Sequence, residues 1–216
     1  MAASLVVHHL GVSQSERIVW LCEELGLAYD LKVYDRDPVT RLAPAAYKAL
    51  HPMGMAPVIT DGATVLGESG AIVDYINGRY GKGALAVRPE AENFADYCFW
   101  LHFANGSFVA TEMLGMIANA TGAAAEHPVR GFVQARSDSA WAMVERRLGE
   151  AAYFAGDALT AADIMMVFPL TTGRVFTPRD ISGFPNILAY LQRIGARPGY
   201  RRAMEKGDPA MAPLLS

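Results

Sequence analysis

Cysteine is scarce in this 216-residue chain, which holds only Cys22 and Cys98. Two cysteines so far apart make neither a disulfide framework nor a zinc site. Both sit on apolar helix stripes, so both thiols are expected to be buried and inert. The five histidines show no metal-ligand spacing, so no metal is expected. Positive charge is short as well. Nineteen Lys and Arg against 22 Asp and Glu leave a net charge of −3, which argues against a general nucleic-acid role. Runs of like charge, internal repeats and low-complexity tracts are missing. No apolar stretch approaches a membrane span. No basic region precedes Leu5-Val6-Val7, so no signal peptide is expected. A reducing, cytoplasmic setting follows as the expectation. Apolar residues, by contrast, make up 52% of the chain, enough for a sizeable core.

The patterning divides the chain in two. Ser4 to His9 is a β-like run, followed by a loop at Gly11 to Gln14. Apolar residues Ile18, Val19, Leu21, Cys22 and Leu25 then form a helical stripe over Ser15 to Leu25. Gly26 stands where a helix takes its C′ glycine. Tyr29 to Tyr34 is β-like again, and a weaker helical segment covers Arg41 to Leu50. An apolar strand opening at Pro57 meets its hairpin partner, Thr64 to Leu66, across the turn signal Asp61-Gly62. A helix covers Glu68 to Tyr80. The order β-α-β-α-β-β-α predicts an α/β unit with a mixed sheet. Composition shifts at Gly81-Lys82-Gly83 and Arg88-Pro89. Every strong pattern beyond is helical. A long helix spans Glu90 to Ala120 with a bend at Gly106-Ser107. Others span Val129 to Glu150, Ala161 to Leu170 and Pro185 to Ala196, with a short one near Tyr200. Thr160 and Asp163 form a capping box, with Leu159 and Ile164 at the staple positions.

The most informative feature is the pairing of Met55-Ala56-Pro57-Val58 with Glu68-Ser69-Gly70-Ala71-Ile72. Pro57 donates no ladder hydrogen bond, so the sheet edge there is expected to be irregular. The helix opening at Glu68-Ser69 offers free N–H groups and a hydroxyl to an anion. Together the two segments suit a small peptide, with backbone pairing at Ala56 and a carboxylate at Ser69. Two other patterns fail their context tests. Gly67-Glu68-Ser69-Gly70-Ala71 lacks the last glycine of a hydrolase elbow, only His102 and His127 follow it, and the elbow's chain order would also want an acid before that histidine. Gly81-Lys82-Gly83-Ala84-Leu85-Ala86 follows a helix rather than a strand, which excludes a dinucleotide fingerprint.

Over essentially its whole length the chain resembles the soluble glutathione transferases. The resemblance rests on Ser13-Gln14-Ser15-Glu16-Arg17, on His51-Pro52-Met53-Gly54-Met55-Ala56-Pro57, on Glu68-Ser69-Gly70-Ala71-Ile72 and on Leu159 to Asp163, four motifs in the right order. The run Trp100-Leu101-His102-Phe103-Ala104 is most similar to bacterial and fungal theta-like members. The resemblance implies a thioredoxin-like domain over 1–82, a linker over 83–88 and an all-helical domain over 89–216. It also implies a homodimer, glutathione as co-substrate rather than a permanently bound cofactor, and a small hydrophobic electrophile as the second partner.

The chemistry such an enzyme needs is activation of a thiol, which at its ordinary pKa of about 8.5 is mostly protonated at neutral pH. A hydroxyl donor and a helix N-terminus both favour the thiolate. Ser13, just before the first helix, supplies the hydroxyl. Ser15 is its rival and the more natural N-cap. The resemblance assigns the backbone of Ala56, through a cis bond to Pro57, to the cysteinyl part of glutathione. Glu68 and Ser69 go to the γ-glutamyl ammonium and carboxylate. Met55 stands where many relatives carry a cation for the glycyl carboxylate, and Lys48, His51 or Arg41 is expected to compensate. Leu10, Val12, His102, Asn105, Phe108 and Met113 are the candidates for the electrophile pocket. The resulting expectation is conjugation of glutathione to a hydrophobic electrophile. The alternatives are a specialised glutathione-dependent isomerase, lyase or peroxidase, or a non-catalytic binding or regulatory protein on the same fold.

Overall fold

The computed structural model describes residues 4–122, 124 and 127–216. The first part follows the expected order: β1 Leu5–Leu10, α1 Glu16–Glu24, β2 Asp30–Tyr34, α2 Ala45–Lys48, β3 Val58–Asp61, β4 Thr64–Gly67 and α3 Ser69–Arg79. The strands form one mixed sheet in the order β2-β1-β3-β4. β1 and β2 are parallel, which the crossover through α1 requires. β3 is antiparallel to both of its neighbours. α1 ends as its glycine dictates. Gly26 has φ +64°, its N–H donates to the Glu23 carbonyl, and the Leu27 N–H donates to the Cys22 carbonyl at 3.0 Å. That double closure is a Schellman motif.

Several expectations are corrected here. β3 is an inner strand, so Pro57 does not open a sheet edge. It lies one residue ahead of the ladder, where its missing N–H costs nothing. Asp61 pairs with Thr64, so the hairpin loop is Gly62-Ala63 rather than Asp61-Gly62. Gly62, at φ +58°, takes the loop position that wants a glycine. Asp61 is used otherwise, since its Oδ2 accepts from the Tyr75 and Tyr80 hydroxyls at 2.7 and 2.6 Å. The helix expected over Arg41 to Leu50 shrinks to α2. Pro44 disfavours helical backbone at the residue before it, and Arg41 itself sits at φ +60°.

The second part is helical: α4 Phe94–Phe103, α5 Ala110–Ala120, α6 Pro128–Glu150, α7 Ala161–Leu170, α8 Pro185–Gly195 and α9 Pro198–Gly207. The helix expected from Glu90 therefore begins at Phe94. Its expected bend is a single π-helical turn over Ala104–Val109, which contains Gly106 and Ser107. α7 keeps the bounds read from its capping box. Asp163 is fully buried and takes four donors: the N–H and hydroxyl of Thr160, the N–H of Phe154 and the hydroxyl of Tyr190. Burial pushes its carboxyl up to about 6, against the pull of those donors. Cys22 is buried and its thiol is pushed up to about 12 by burial. Cys98 is only half-buried, contrary to the expectation from its stripe. Among the described residues no helix is long and apolar enough to cross a membrane.

The contacts split the chain into two compact units. One holds Met1–Ala86 with Ile194–Pro213, and the other holds Val87–Arg193 with Leu214–Ser216. α9 thus packs with the sheet unit, on α1, although the sequence pattern places it in the helical half. Three ion pairs seal that contact. Arg197 pairs with Glu24, while Arg202 and Lys206 reach Glu23 at 2.9 and 2.6 Å.

Candidate active site

The register of the sheet brings the sequence motifs to one end. His8 lies opposite Val58, and Val58 lies opposite Gly67. At that end the chain leaves β1 toward Ser13, enters β3 through Ala56-Pro57 and leaves β4 into Glu68-Ser69. The Ala56–Pro57 bond is cis. Ala56 packs against a small core of Leu10, Tyr34, Tyr47 and Val58. Two non-glycine residues at this end hold positive φ, Val12 at 52° and Glu68 at 68°. For a β-branched residue this is a strained conformation, and it persists only where the surroundings enforce it. They do so at Val12. Its N–H donates to Asp208 Oδ1 at 2.8 Å, and its carbonyl accepts from Arg36 at 2.9 Å.

Ser13 and Ser15 are linked. Their hydroxyl oxygens lie 2.8 Å apart, and the Ser15 N–H donates to Ser13 Oγ at 3.2 Å. Ser15 stands at the N-cap position of α1, but its side chain makes no cap bond. It turns inward instead, to His9 Nδ1 at 2.9 Å, and accepts from the Leu10 N–H at 3.0 Å. His9 is fully buried, and its Nε2 meets Asp208 Oδ2 at 3.1 Å. Burial alone raises the Asp208 carboxyl. The hydrogen bond from His9, the Val12 N–H and the charge of Arg36 outweigh it and hold that carboxyl below its ordinary value.

The second cluster surrounds Ser69. Arg17 donates to Gln14 Oε1 at 2.6 Å and to Ser69 Oγ at 3.4 Å, which ties α1 to the start of α3. Burial pushes its guanidinium down to about 9. Glu68 beside it is exposed. His51 stacks its ring against Gly67, where an added Cβ would lie 3.4 Å from it. Its Nδ1 accepts from the Met53 N–H at 3.3 Å. Lys48 runs along Gly54, beside the exposed Met55. Arg41 lies in the loop before α2, where its carbonyl accepts from Arg36.

Two family models match this chain. One describes a glutathione S-transferase N-terminal domain and covers residues 13–79; the other describes the C-terminal domain and covers residues 133–198. The chain is 33% identical to glutathione S-transferase 3 of Schizosaccharomyces pombe, over 98% of this chain and 91% of that one. The chain belongs to the glutathione S-transferase family.

A glutathione S-transferase structure from Actinobacillus pleuropneumoniae superposes with a TM-score of 0.86 at 33% identity, covering 94% of this chain and 93% of that one. A theta class glutathione S-transferase from Xanthomonas axonopodis pv. citri, solved with glutathione bound, superposes with a TM-score of 0.71 at 25% identity, covering 93% and 97%. The protein is thus a glutathione transferase with a thioredoxin-like N-terminal domain and a helical C-terminal domain.

In this transferase the electrophile candidates fall in different surroundings. Leu10 is a buried member of the small core named above, and Val12 is partly exposed. In the helical unit Phe108 is fully buried, with its ring on Phe103 and edge-on to Trp141, which is a core position. His102 is exposed, Asn105 is partly exposed and Met113 is 39% exposed. Sequence reasoning misses Arg17, His9 and Asp208. Arg17 sits inside the quoted Ser13-to-Arg17 motif and was within reach. His9 and Asp208 are 199 residues apart, and no local pattern joins them.

Proposed function

We propose that the transferase binds glutathione at the end of its sheet and conjugates the thiolate to a small hydrophobic electrophile. Ser13 donates its hydroxyl to the sulfur. The observation that carries this reading is the contrast between the two serines. Ser15 is fully buried and committed to His9, whereas Ser13 keeps 5% of its surface. The N-terminus of α1 adds a field that favours the thiolate. The backbone of Ala56 pairs with the cysteinyl residue. Ser69, backed by the Arg17 guanidinium 3.4 Å away, takes the γ-glutamyl carboxylate, and Glu68 takes the ammonium. Lys48 and His51 flank the Met55 loop and supply the polar contacts that Met55 lacks. The domain limits 1–82 and 89–216 belong to this reading, with α9 packed back on α1. So do a cytoplasmic setting and a homodimer, the latter supported by exposed Leu114, Ile117 and Phe132 on α5 and α6.

The test is calorimetric titration with glutathione, followed by turnover of an aryl halide in the wild type and Ser13→Ala. Binding in both, with turnover lost in Ser13→Ala, supports the assignment. No binding would move the protein to the non-catalytic class. Binding with full turnover in Ser13→Ala would remove Ser13 from the chemistry.

A further inference from the structure

Activation of glutathione leaves a proton to be placed, and the sheet unit holds an acceptor for it. Ser13 Oγ, Ser15 Oγ, His9 Nδ1, His9 Nε2 and Asp208 Oδ2 form one continuous chain, with links of 2.8, 2.9 and 3.1 Å on either side of the ring. Ser15, His9 and Asp208 are all buried. We propose that His9, backed by Asp208, accepts the glutathione proton through the hydroxyls of Ser13 and Ser15. This rests on the reading of Ser13 as the group that touches the thiol.

Hydrogen-bond bookkeeping favours this role. Asp208 is held in its acceptor form by the Val12 N–H and the His9 ring, so Nε2 carries a proton and Nδ1 of the neutral ring is an acceptor. Ser15 accepts from the Leu10 N–H, and its one proton has two acceptors in reach, His9 Nδ1 at 2.9 Å and the Leu10 carbonyl at a longer 3.3 Å. Before transfer the Ser15 hydroxyl donates to His9 Nδ1, the Ser13 hydroxyl donates to Ser15 Oγ, and the thiol donates to Ser13 Oγ. Transfer shifts one proton along each link. The S–H bond breaks and an O–H bond forms at Ser13. The former Ser13 proton passes to Ser15, and the former Ser15 proton forms the Nδ1–H bond. In the product the imidazolium donates to Ser15, Ser15 donates to Ser13, and Ser13 donates to the thiolate. The Leu10 and Ser15 N–H groups keep their acceptors throughout. Both proton states therefore leave each of the two hydroxyls with matched donors and acceptors.

The charges around the ring match this direction. Asp208 meets Nε2, and Arg36 lies beyond it, close enough to act on the Asp208 charge. Gly207 closes the pocket. A Cβ there would stand 3.1 Å from His9 Nε2, so the end of α9 leaves just enough room for the ring. In this scheme His9 is a positioning residue and proton store that never touches substrate.

The scheme makes thiolate formation a transfer inside the protein. The experiment saturates the enzyme with glutathione in weak buffer at neutral pH. It follows thiolate by ultraviolet absorbance and proton release with a pH indicator. Wild type should form thiolate with little proton release. In Asp208→Asn the amide oxygen keeps the Val12 bond and its NH2 faces Nε2. That puts the ring proton on Nδ1 and blocks transfer. Its thiolate should appear only with about one proton released, and at a pH higher by about one unit or more. His9→Gln should behave the same way and serves if Asp208→Asn does not fold. Release of one proton per site by the wild type would overturn the proposal. So would a thiolate titration unchanged in a folded Asp208→Asn or His9→Gln. Ser13→Ala separates the two layers: if it leaves the thiolate unaltered the Ser13 reading fails, and if it shifts the thiolate while the His9 and Asp208 variants do not, only the relay fails.

Discussion

At Ser69 one hydroxyl sits within reach of the Arg17 guanidinium, at the first turn of α3. In the proposed reading this hydroxyl serves binding rather than bond-making. Ser69→Ala should therefore raise the glutathione KM about tenfold, as loss of a charged hydrogen bond of ~1.5 kcal/mol does, with kcat little changed. Steady-state kinetics checks this, and an unaltered KM would remove Ser69 from the site. Asp163 illustrates a residue that serves the fold. Its two oxygens take four donors, so Asp163→Asn turns a donor toward donors in a buried place. A loss of about 3 kcal/mol in urea unfolding is expected. The roles of single residues were unevenly legible in the sequence. The Asp163 box is local and could be read from Thr160 onward. The inward turn of Ser15 could not, because its partners His9, Leu10 and Ser13, though near in sequence, are brought to it by the irregular turn between β1 and α1, which no periodicity describes.

At the scale of elements, α9 is the least legible piece. Its pattern is that of one more helix of the second half, yet it packs on α1 through Arg197, Arg202 and Lys206. Those contacts join residues more than 170 positions apart, beyond any periodicity argument. α1 and α9 approach closely at Gly199, where a Cβ would lie 3.1 Å from Glu24 Cα and closer still to its carboxylate. Gly199→Ala should separate the helices and lower the thermal midpoint, which calorimetry measures. The Glu23 cluster adds a pH dependence. Burial raises the Glu23 carboxyl, but Lys206, Tyr29 and Arg202 together bring it below its ordinary value. A depressed carboxyl contributes stability above its unfolded pKa of about 4.3 and loses it as pH falls through the folded value. Stability should therefore decline on acidification below about pH 5, and Glu23→Gln should flatten that decline. An equally steep profile in the variant would discount the cluster. The π turn in the long helical run was legible only as a bend. Gly106-Ser107 signals weak helix, while the choice of an i→i+5 turn belongs to the packing of Phe108 and Val109 into the core.

For the whole molecule, the family and the two-part fold were readable because the motifs recur in order and each is local. The sheet register that gathers them follows from β1 pairing antiparallel with β3, which the β-α-β-α-β-β-α order allows but does not force. The proposed homodimer rests on the exposed Leu114, Ile117 and Phe132. Sedimentation equilibrium should give twice the chain mass, and Ile117→Glu should shift it toward the monomer. A wild-type monomer would refute the dimer. The central claim is that this transferase holds glutathione as a thiolate through Ser13. The most direct measurement is an ultraviolet pH titration of bound glutathione in the wild type and in Ser13→Ala. The account predicts a bound thiol ionising at least about one unit below the free thiol's value of roughly 8.5, with much of that shift lost in Ser13→Ala. A bound thiol that ionises at the same pH with and without the Ser13 hydroxyl would contradict it.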